Sequence, residues 1–190
     1  WVGANFLFGR DRMGTYTLLK ALGQDRGFRA EKIEPVRFKD FVVSSTRVRH
    51  LVGEGRVDEA GALLGRPYAL DGTVVHGDGR GRQLGFPTAN LETANELLPA
   101  YGIYATVAII DGVFHPAVTS VGVRPTIGDG RVMVETFLLD HHEDLYGRRM
   151  RVAFVRWLRA EARFDSLEAL VAQMHEDCRQ ARAIHAATGV

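Results

Sequence analysis

After Tyr68 the chain changes its period, and that change restricts the fold more than any other feature of the sequence. Tyr68–Val75, Thr88–Leu91, Gly102–Ile110, Val113–Val121, Val132–Leu139 and Arg148–Trp157 are short runs with the character of strands. Asp111-Gly112 separates two of them, and this dipeptide tolerates the positive φ angles of a two-residue hairpin. Several short strands at close spacing predict a mainly β chain, a small six-stranded antiparallel barrel. A helix closes the sequence. Asp165 and Glu168 have capping-box spacing, and Leu167, Leu170, Val171, Met174, Cys178 and Ala181 share one apolar face. Cys178 on that face reads as a small buried hydrophobe.

Before Tyr68 the pattern differs. Residues 28–43 alternate loosely, with Pro35 as an irregular point, and read as extended structure. Ser44, Ser45 and Thr46 precede a short helix through Arg47–Leu51. Arg56–Leu64 reads as a second helix, stopped by Gly65 and Pro67. These pieces look like the tail of an α/β module. The expected division is therefore a partial α/β module over residues 1–66 and a barrel with its helix over 67–190.

The chemistry concentrates between His76 and Leu91, in HGDGRGRQLGFPTANL. Gly77, Gly79, Gly81 and Gly85 allow backbone N–H groups close to anionic oxygens, because no Cβ intervenes. Arg80 and Arg82 add forked donors for phosphate. The run leaves the loop through Phe86-Pro87 directly into a strand. There Thr88 and Asn90, two apart, offer neutral oxygens on one face to a hard cation such as Mg²⁺. Neither a GxxxxGK[ST] loop nor a dinucleotide fingerprint is present, and a plain mobile hairpin loop is the alternative. The only lysines are Lys20, Lys32 and Lys39, so any phosphate transfer in the barrel must rely on amides, arginine and metal.

Other compositional facts narrow the classes. With 46% hydrophobic and 25% charged residues the proportions are those of ordinary globular proteins. No apolar run approaches bilayer length and the start has no signal-peptide pattern, so no membrane partner and a cytoplasmic location are expected. One cysteine excludes an internal disulfide. A formal net charge of +1 does not favour nucleic acid.

Several of these stretches, in order, resemble the riboflavin kinases, including the bacterial bifunctional riboflavin kinase/FMN adenylyltransferases. GRQLGFPTAN (81–90) is similar to the family signature, followed by LLPAYGIYA (97–105), SVGVRPTIG (120–128), VET (134–136), LLDHHEDLYG (138–147) and FVRWLRAEARFDSLEAL (154–170). Upstream, GANFLFGRDRMG (3–14) and VSSTRVRHL (43–51) resemble the adenylyltransferase module. The resemblance implies transfer of the ATP γ-phosphate to the ribityl 5′-hydroxyl of riboflavin, giving FMN and ADP with Mg²⁺. It implies Glu135 as the base, Thr88 and Asn90 as metal ligands, and Gly77, Gly79, Arg80, Gly81, Arg82, Gly85 and Phe86, with Thr88 and Asn90, around ATP. It places Leu98, Leu145 and Arg159 on the flavin side. Asn5, Phe6, Ser44, Ser45, Thr46 and Arg47 belong by the same resemblance to the adenylyltransferase part.

From pattern alone, Glu135 among apolar neighbours is either an outward alternation residue or a functional group; the resemblance selects the second. Partial desolvation would raise its pKa and make it a better base. Asp140, His141, His142, Glu143 and Asp144 read as a polar turn, since consecutive residues point in different directions. The family's upstream HxGH-type segment is not in this sequence, so FAD formation is expected only if a preceding half is supplied. The readings from other classes are a non-catalytic flavin- or nucleotide-binding barrel and an oligonucleotide-binding barrel. Oligomeric state is not legible.

Overall fold

A computed structural model describes residues 1–77, 79–123, 132–141 and 143–189, with only the backbone of Arg80. The chain forms two compact units, Trp1–Ser44 and Ser45–Val190. In the first, β1 (Val2–Gly3) pairs in parallel with β2 (Lys32–Ile33), and α1 (Tyr16–Arg26) connects them. The Thr15 hydroxyl caps α1 by accepting from the Leu18 N–H, and Gly27 ends it in the left-handed conformation. The extended reading of residues 28–43 resolves into two-residue strands, β2 and the hairpin of β3 (Arg37–Phe38) with β4 (Phe41–Val42). Only Gly14 and Gly23 are buried in this unit, so its apolar side chains build no core of their own.

The second unit opens with α2 (Ser45–Gly53) and α3 (Val57–Leu64), packed through Val48, Leu51, Val52 and Ala60. Six strands follow: β5 (Tyr68–Val75), β6 (Ala89–Thr93), β7 (Gly102–Ile110), β8 (Val113–Val123), β9 (Val132–Leu138) and β10 (Arg149–Arg159). They close into an antiparallel barrel in the order β10-β5-β6-β9-β8-β7, as their sequence pattern predicts. Asp111 and Gly112 turn the β7–β8 hairpin with φ of 50° and 81°, the pair of positive angles that suits strand twist. β6 starts one residue late, at Ala89, leaving Thr88 just outside it behind Pro87, which has no N–H for the ladder.

Alternation decides what each strand faces. Leu70, Val74, Tyr104, Ala117, Val121, Val134, Leu138, Val152 and Phe154 fill the barrel. Within this apolar interior Thr106, Thr119 and Thr136 form a ladder of hydroxyls, 2.7 and 3.0 Å apart. The opposite residues face outward, and there Ala105, Val118, Phe137 and Leu139 receive α5 (Leu167–Thr188) through Cys178, Ala181 and Ile184. The cap of α5 stands one residue later than Asp165: the Ser166 hydroxyl accepts from the Ala169 N–H at 3.1 Å, a reach Asp165 lacks. Leu167, in the first turn, is exposed rather than part of the buried stripe, because the helix meets the barrel only further on.

Candidate active site

Glu135 sits in a row of residues that crosses the outer face of the barrel. Asn90 on β6 pairs with Glu135 on β9, Glu135 with Ser120 on β8, Ser120 with Ile103 on β7, and Ile103 with Arg159 on β10. Cross-strand partners share a face. Register shifts in β10 on either side of Arg156 and Trp157 re-aim the end of that strand and bring Arg159 into the row.

This face is the floor of a cleft of about 380 Å³. Ser120, Met133, Glu135 and Phe137 lie beneath, Leu170, Met174, Asp177 and Cys178 of α5 form a wall, and Arg159 and Glu161 stand at one end. The Glu161 carboxylate lies over Gly122, where a Cβ would collide with it. Partial burial pushes the Cys178 thiol up to about 11, so at neutral pH it is a protonated, apolar wall residue, on the apolar face that the helix pattern predicts but half-buried rather than buried.

The glycine-arginine run forms the rim. Between Gly79 and Leu84 it carries one helical turn, α4 (Arg80–Gln83), where the sequence reads as loop throughout. Gly79 enters that turn at φ 68°, a conformation costly for any residue with a Cβ. The Phe86 N–H bonds the Gly81 carbonyl at 2.8 Å and closes the turn. Phe86 itself is buried, edge-on to Phe137 and His175 at 5.2 and 5.0 Å, and so anchors the rim to β9 and α5. Gly77 lies so close to Asn90 that a Cβ there would overlap the carboxamide.

A second cavity, about 460 Å³, opens on the other side of the rim. Arg82, Thr88, Asp144, Leu145 and Tyr146 line it, and the Tyr146 ring stacks on His76 at 3.7 Å. Thr88 lines both cavities. The Asn90 Oδ1 is buried with no hydrogen-bond partner. An orphaned carbonyl oxygen beside a hydroxyl and a carboxylate is a donor set that fits a hard divalent cation.

The family follows from comparison with known proteins. The riboflavin kinase (flavokinase) family model matches residues 64–185. The chain belongs to that family. It is 44% identical to the bifunctional riboflavin kinase/FMN adenylyltransferase of Pseudomonas fluorescens over 97% of this chain and 60% of that protein. It is 39% identical to the protein of the same name from Escherichia coli K12, over 95% of this chain and 58% of the relative. A solved structure titled as a macrolide-efflux protein from Streptococcus pneumoniae superposes with a TM-score of 0.84 at 34% identity, covering 95% of this chain and 58% of that one. The chain thus spans about three-fifths of the length of the curated relatives it matches. Among the described residues no helix is long and apolar enough to cross a membrane.

The flavokinase fold brings many of the expected residues together, but not all. Glu135, Thr88, Gly79, Gly81, Phe86 and Arg159 meet at the first cleft, with Asn90 beside Glu135. Arg82 and Leu145 line the second cavity, on the other side of the rim from Arg159, and Leu98 packs against the barrel's apolar cluster. Gly85 lies at the rim with φ 86°. Asn5, Phe6 and Ser44 lie in the first unit; Ser45, Thr46 and Arg47 lie in the second, in the first turn of α2. Asp140 pairs with Arg182, and the His141 ring meets His115 edge-on. Residues 124–128 of the SVGVRPTIG segment, Asp78, the Arg80 side chain and His142 lie outside the described residues. Sequence reading missed Asp177, Glu161 and Ser120. A single acid inside the apolar stripe of α5 was the visible signal for Asp177.

Proposed function

We propose that this chain is an ATP-dependent riboflavin kinase. The observation that carries the reading, beside family membership, is that Thr88 is shared by two cavities, one floored by Glu135 and the other lined by Arg82. Riboflavin occupies the cleft under α5 with its ribityl 5′-hydroxyl at Glu135, and the triphosphate of ATP lies under the glycine-arginine rim. Acceptor and donor then meet beside Thr88, which is the positioning that phosphoryl transfer chiefly requires.

Glu135 takes the proton of the 5′-hydroxyl as its oxygen attacks the γ-phosphorus. The bond from phosphorus to the β,γ-bridging oxygen breaks, giving FMN and ADP. Arg82 and the rim amides balance the phosphate charge, a role no lysine of the barrel can fill. Thr88 and Asn90 would hold Mg²⁺, which when bound supplies charge neutralisation at the phosphates. The buried ring of Phe86 keeps the rim seated and water out of the cleft. The same reading makes residues 67–190 the kinase module, residues 1–66 part of an adenylyltransferase module, and the cytoplasm the place of action.

The test is chromatographic: the chain with riboflavin, ATP and Mg²⁺, followed for FMN and FAD. FMN formation is expected; flavin binding without turnover would make this a non-catalytic binding barrel instead. A second reading, FMN adenylylation, is favoured by the bifunctional names of the relatives and by similarity that extends over 97% of this chain. Supplying the segment that precedes these residues in the relatives should then yield FAD. FMN accumulating with no FAD under those conditions removes it.

A further inference from the structure

Asp177 lies mid-way along α5 on the side that packs against the barrel, and it is 3% exposed. Its carboxylate grips the Arg159 guanidinium at two points, accepting from Nε at 2.8 Å and from Nη2 at 2.7 Å. Gln173, one turn earlier, donates to the same carboxylate at 2.9 Å. Arg159 Nη1 donates to the Ala160 carbonyl at 3.0 Å, and the guanidinium carbon lies 5.7 Å from the centre of the Phe164 ring. An ion pair whose carboxylate is buried and whose guanidinium is half-buried is a poor way to stabilise a fold, because desolvation offsets much of the attraction. This one interrupts an apolar helix stripe, next to Cys178 and one turn from Met174 and Ala181. Both of its members line the cleft that holds Glu135.

A guanidinium has five N–H donors. The contacts above use one on Nε, one on Nη1 and one on Nη2, so each Nη keeps a second hydrogen. The positive charge behind those two donors is already balanced by Asp177. From Arg159 to Glu135 the row runs through Ile103 and Ser120. Three strand steps of about 4.8 Å separate the two backbones by about 14 Å, roughly the reach of a flavin and its ribityl chain. One end of the cleft therefore accepts a proton, and the other offers oriented donors whose own charge Asp177 balances, with the Glu161 carboxylate at the same end.

We propose that Asp177 is a positioning residue that also sets specificity: it fixes Arg159 so that the free N–H pair meets the neutral carbonyl edge of the acceptor substrate, and it cancels the charge that would draw anions into the cleft. The inference rests on the riboflavin kinase reading of this same cleft. A neutral, acceptor-rich ring system is favoured at that end; without the Asp177 charge only the Glu161 carboxylate, over Gly122, opposes an anion at the same guanidinium.

The test uses the full chain as Asp177→Asn, as Gln173→Ala, and as Asp177→Asn combined with Arg159→Gln. Riboflavin affinity is read from quenching of its fluorescence, and turnover from FMN formation with riboflavin and ATP varied separately. Asp177→Asn should raise Kd and KM for riboflavin about tenfold, leaving kcat and the KM for ATP within about twofold. Inorganic phosphate should compete with riboflavin in Asp177→Asn, not in the wild type, and not in the double variant. Gln173→Ala loosens the grip but keeps the charge balance, so riboflavin affinity falls without phosphate competition. A merely structural Asp177 gives fewer active molecules instead: lower kcat, unchanged KM and no phosphate effect, which overturns the proposal. Should Asp177→Asn fail to fold, unchanged riboflavin affinity in Gln173→Ala overturns it equally. A wild type that binds riboflavin but makes no FMN removes the kinase reading and leaves the binding arm to decide on Asp177. One that does not bind riboflavin overturns both.

Discussion

Asn90 and Glu135 are direct cross-strand partners, on β6 and β9, with both side chains on the outer face of the barrel. Such partners have Cβ atoms about 5 Å apart, close enough for a cation ligand and a base to act on one phosphate-bearing centre. Their roles differ, so their variants should differ. Glu135→Gln should lower kcat by about 10²–10⁴ while riboflavin still binds, as expected for loss of a general base. Asn90→Ala should instead raise the Mg²⁺ concentration needed for half-maximal rate. Full FMN production by Glu135→Gln would overturn the assignment of the base.

Gly77 and Gly79 are two residues apart in the rim yet should respond to alanine in different ways. At Gly77 a Cβ would overlap the buried Asn90 carboxamide. At Gly79 a Cβ meets nothing within 4 Å, and only φ 68° opposes it. Gly79→Ala should cost about 1–2 kcal/mol of local backbone energy and leave the Mg²⁺ requirement unchanged. Gly77→Ala should displace Asn90 and raise that requirement. Equal Mg²⁺ titrations for the two variants would show that Asn90 is not held by this contact.

The barrel was legible because each strand alternates between a filled interior and an outer face, and because Asp111-Gly112 allows one kind of turn. Glu135, Thr88 and Asn90 were legible because unusual residue types stand inside or beside strand-like runs. What could not be read depends on distance across the fold. Arg159 and Asp177 are 18 residues apart on different elements, and no local spacing announces their pairing. Phe86 stands in a motif that reads as ATP-binding, yet its ring is buried between Phe137 and His175, partners known only after the barrel closes. The turn of α4 escaped because its glycines signal loop, while the Phe86-to-Gly81 bond that closes it is conformational. The α5 cap shifted by one residue because Asp165 and Ser166 are both good caps, and it is the Ser166 hydroxyl that accepts from the Ala169 N–H.

His185, near the end of α5, is 4% exposed and neither ring nitrogen has a hydrogen-bond partner. Burial pushes its pKa below the ordinary 6.5, and the carbonyls of Ala117 and Thr106, near but not in hydrogen-bond geometry, offset this only in part. As pH falls through 6.5 the unfolded chain therefore binds a proton at this residue that the folded chain still refuses. Stability fully present above that pH is then lost progressively on acidification, down to the depressed folded value. Denaturant titrations at pH 7.5 and 5.5 should show a larger loss for the wild type than for His185→Leu. Equal losses would place the pH dependence elsewhere, for instance on His115, whose pKa burial and the neighbouring His141 also push below the ordinary value.

The Thr106–Thr119–Thr136 ladder supports the floor of the cleft from inside the barrel. Thr136 is the neighbour of Glu135 along β9, and alternation points the two side chains to opposite faces. Thr119 is the middle member, within hydrogen-bond distance of both others, so its removal disturbs two contacts at once. Thr119→Val nearly preserves volume but leaves the Thr106 and Thr136 hydroxyls short of a partner in an apolar interior. Each such group costs about 1–3 kcal/mol, so the variant should be destabilised by that order while its packing volume is unchanged. Replacing all three by valine removes the polar groups together and should recover most of the loss, since no hydroxyl is then left unpaired. Denaturant midpoints for the single and triple variants check this. A triple variant no more stable than Thr119→Val would mean that the ladder contributes through side-chain shape rather than through its hydrogen bonds.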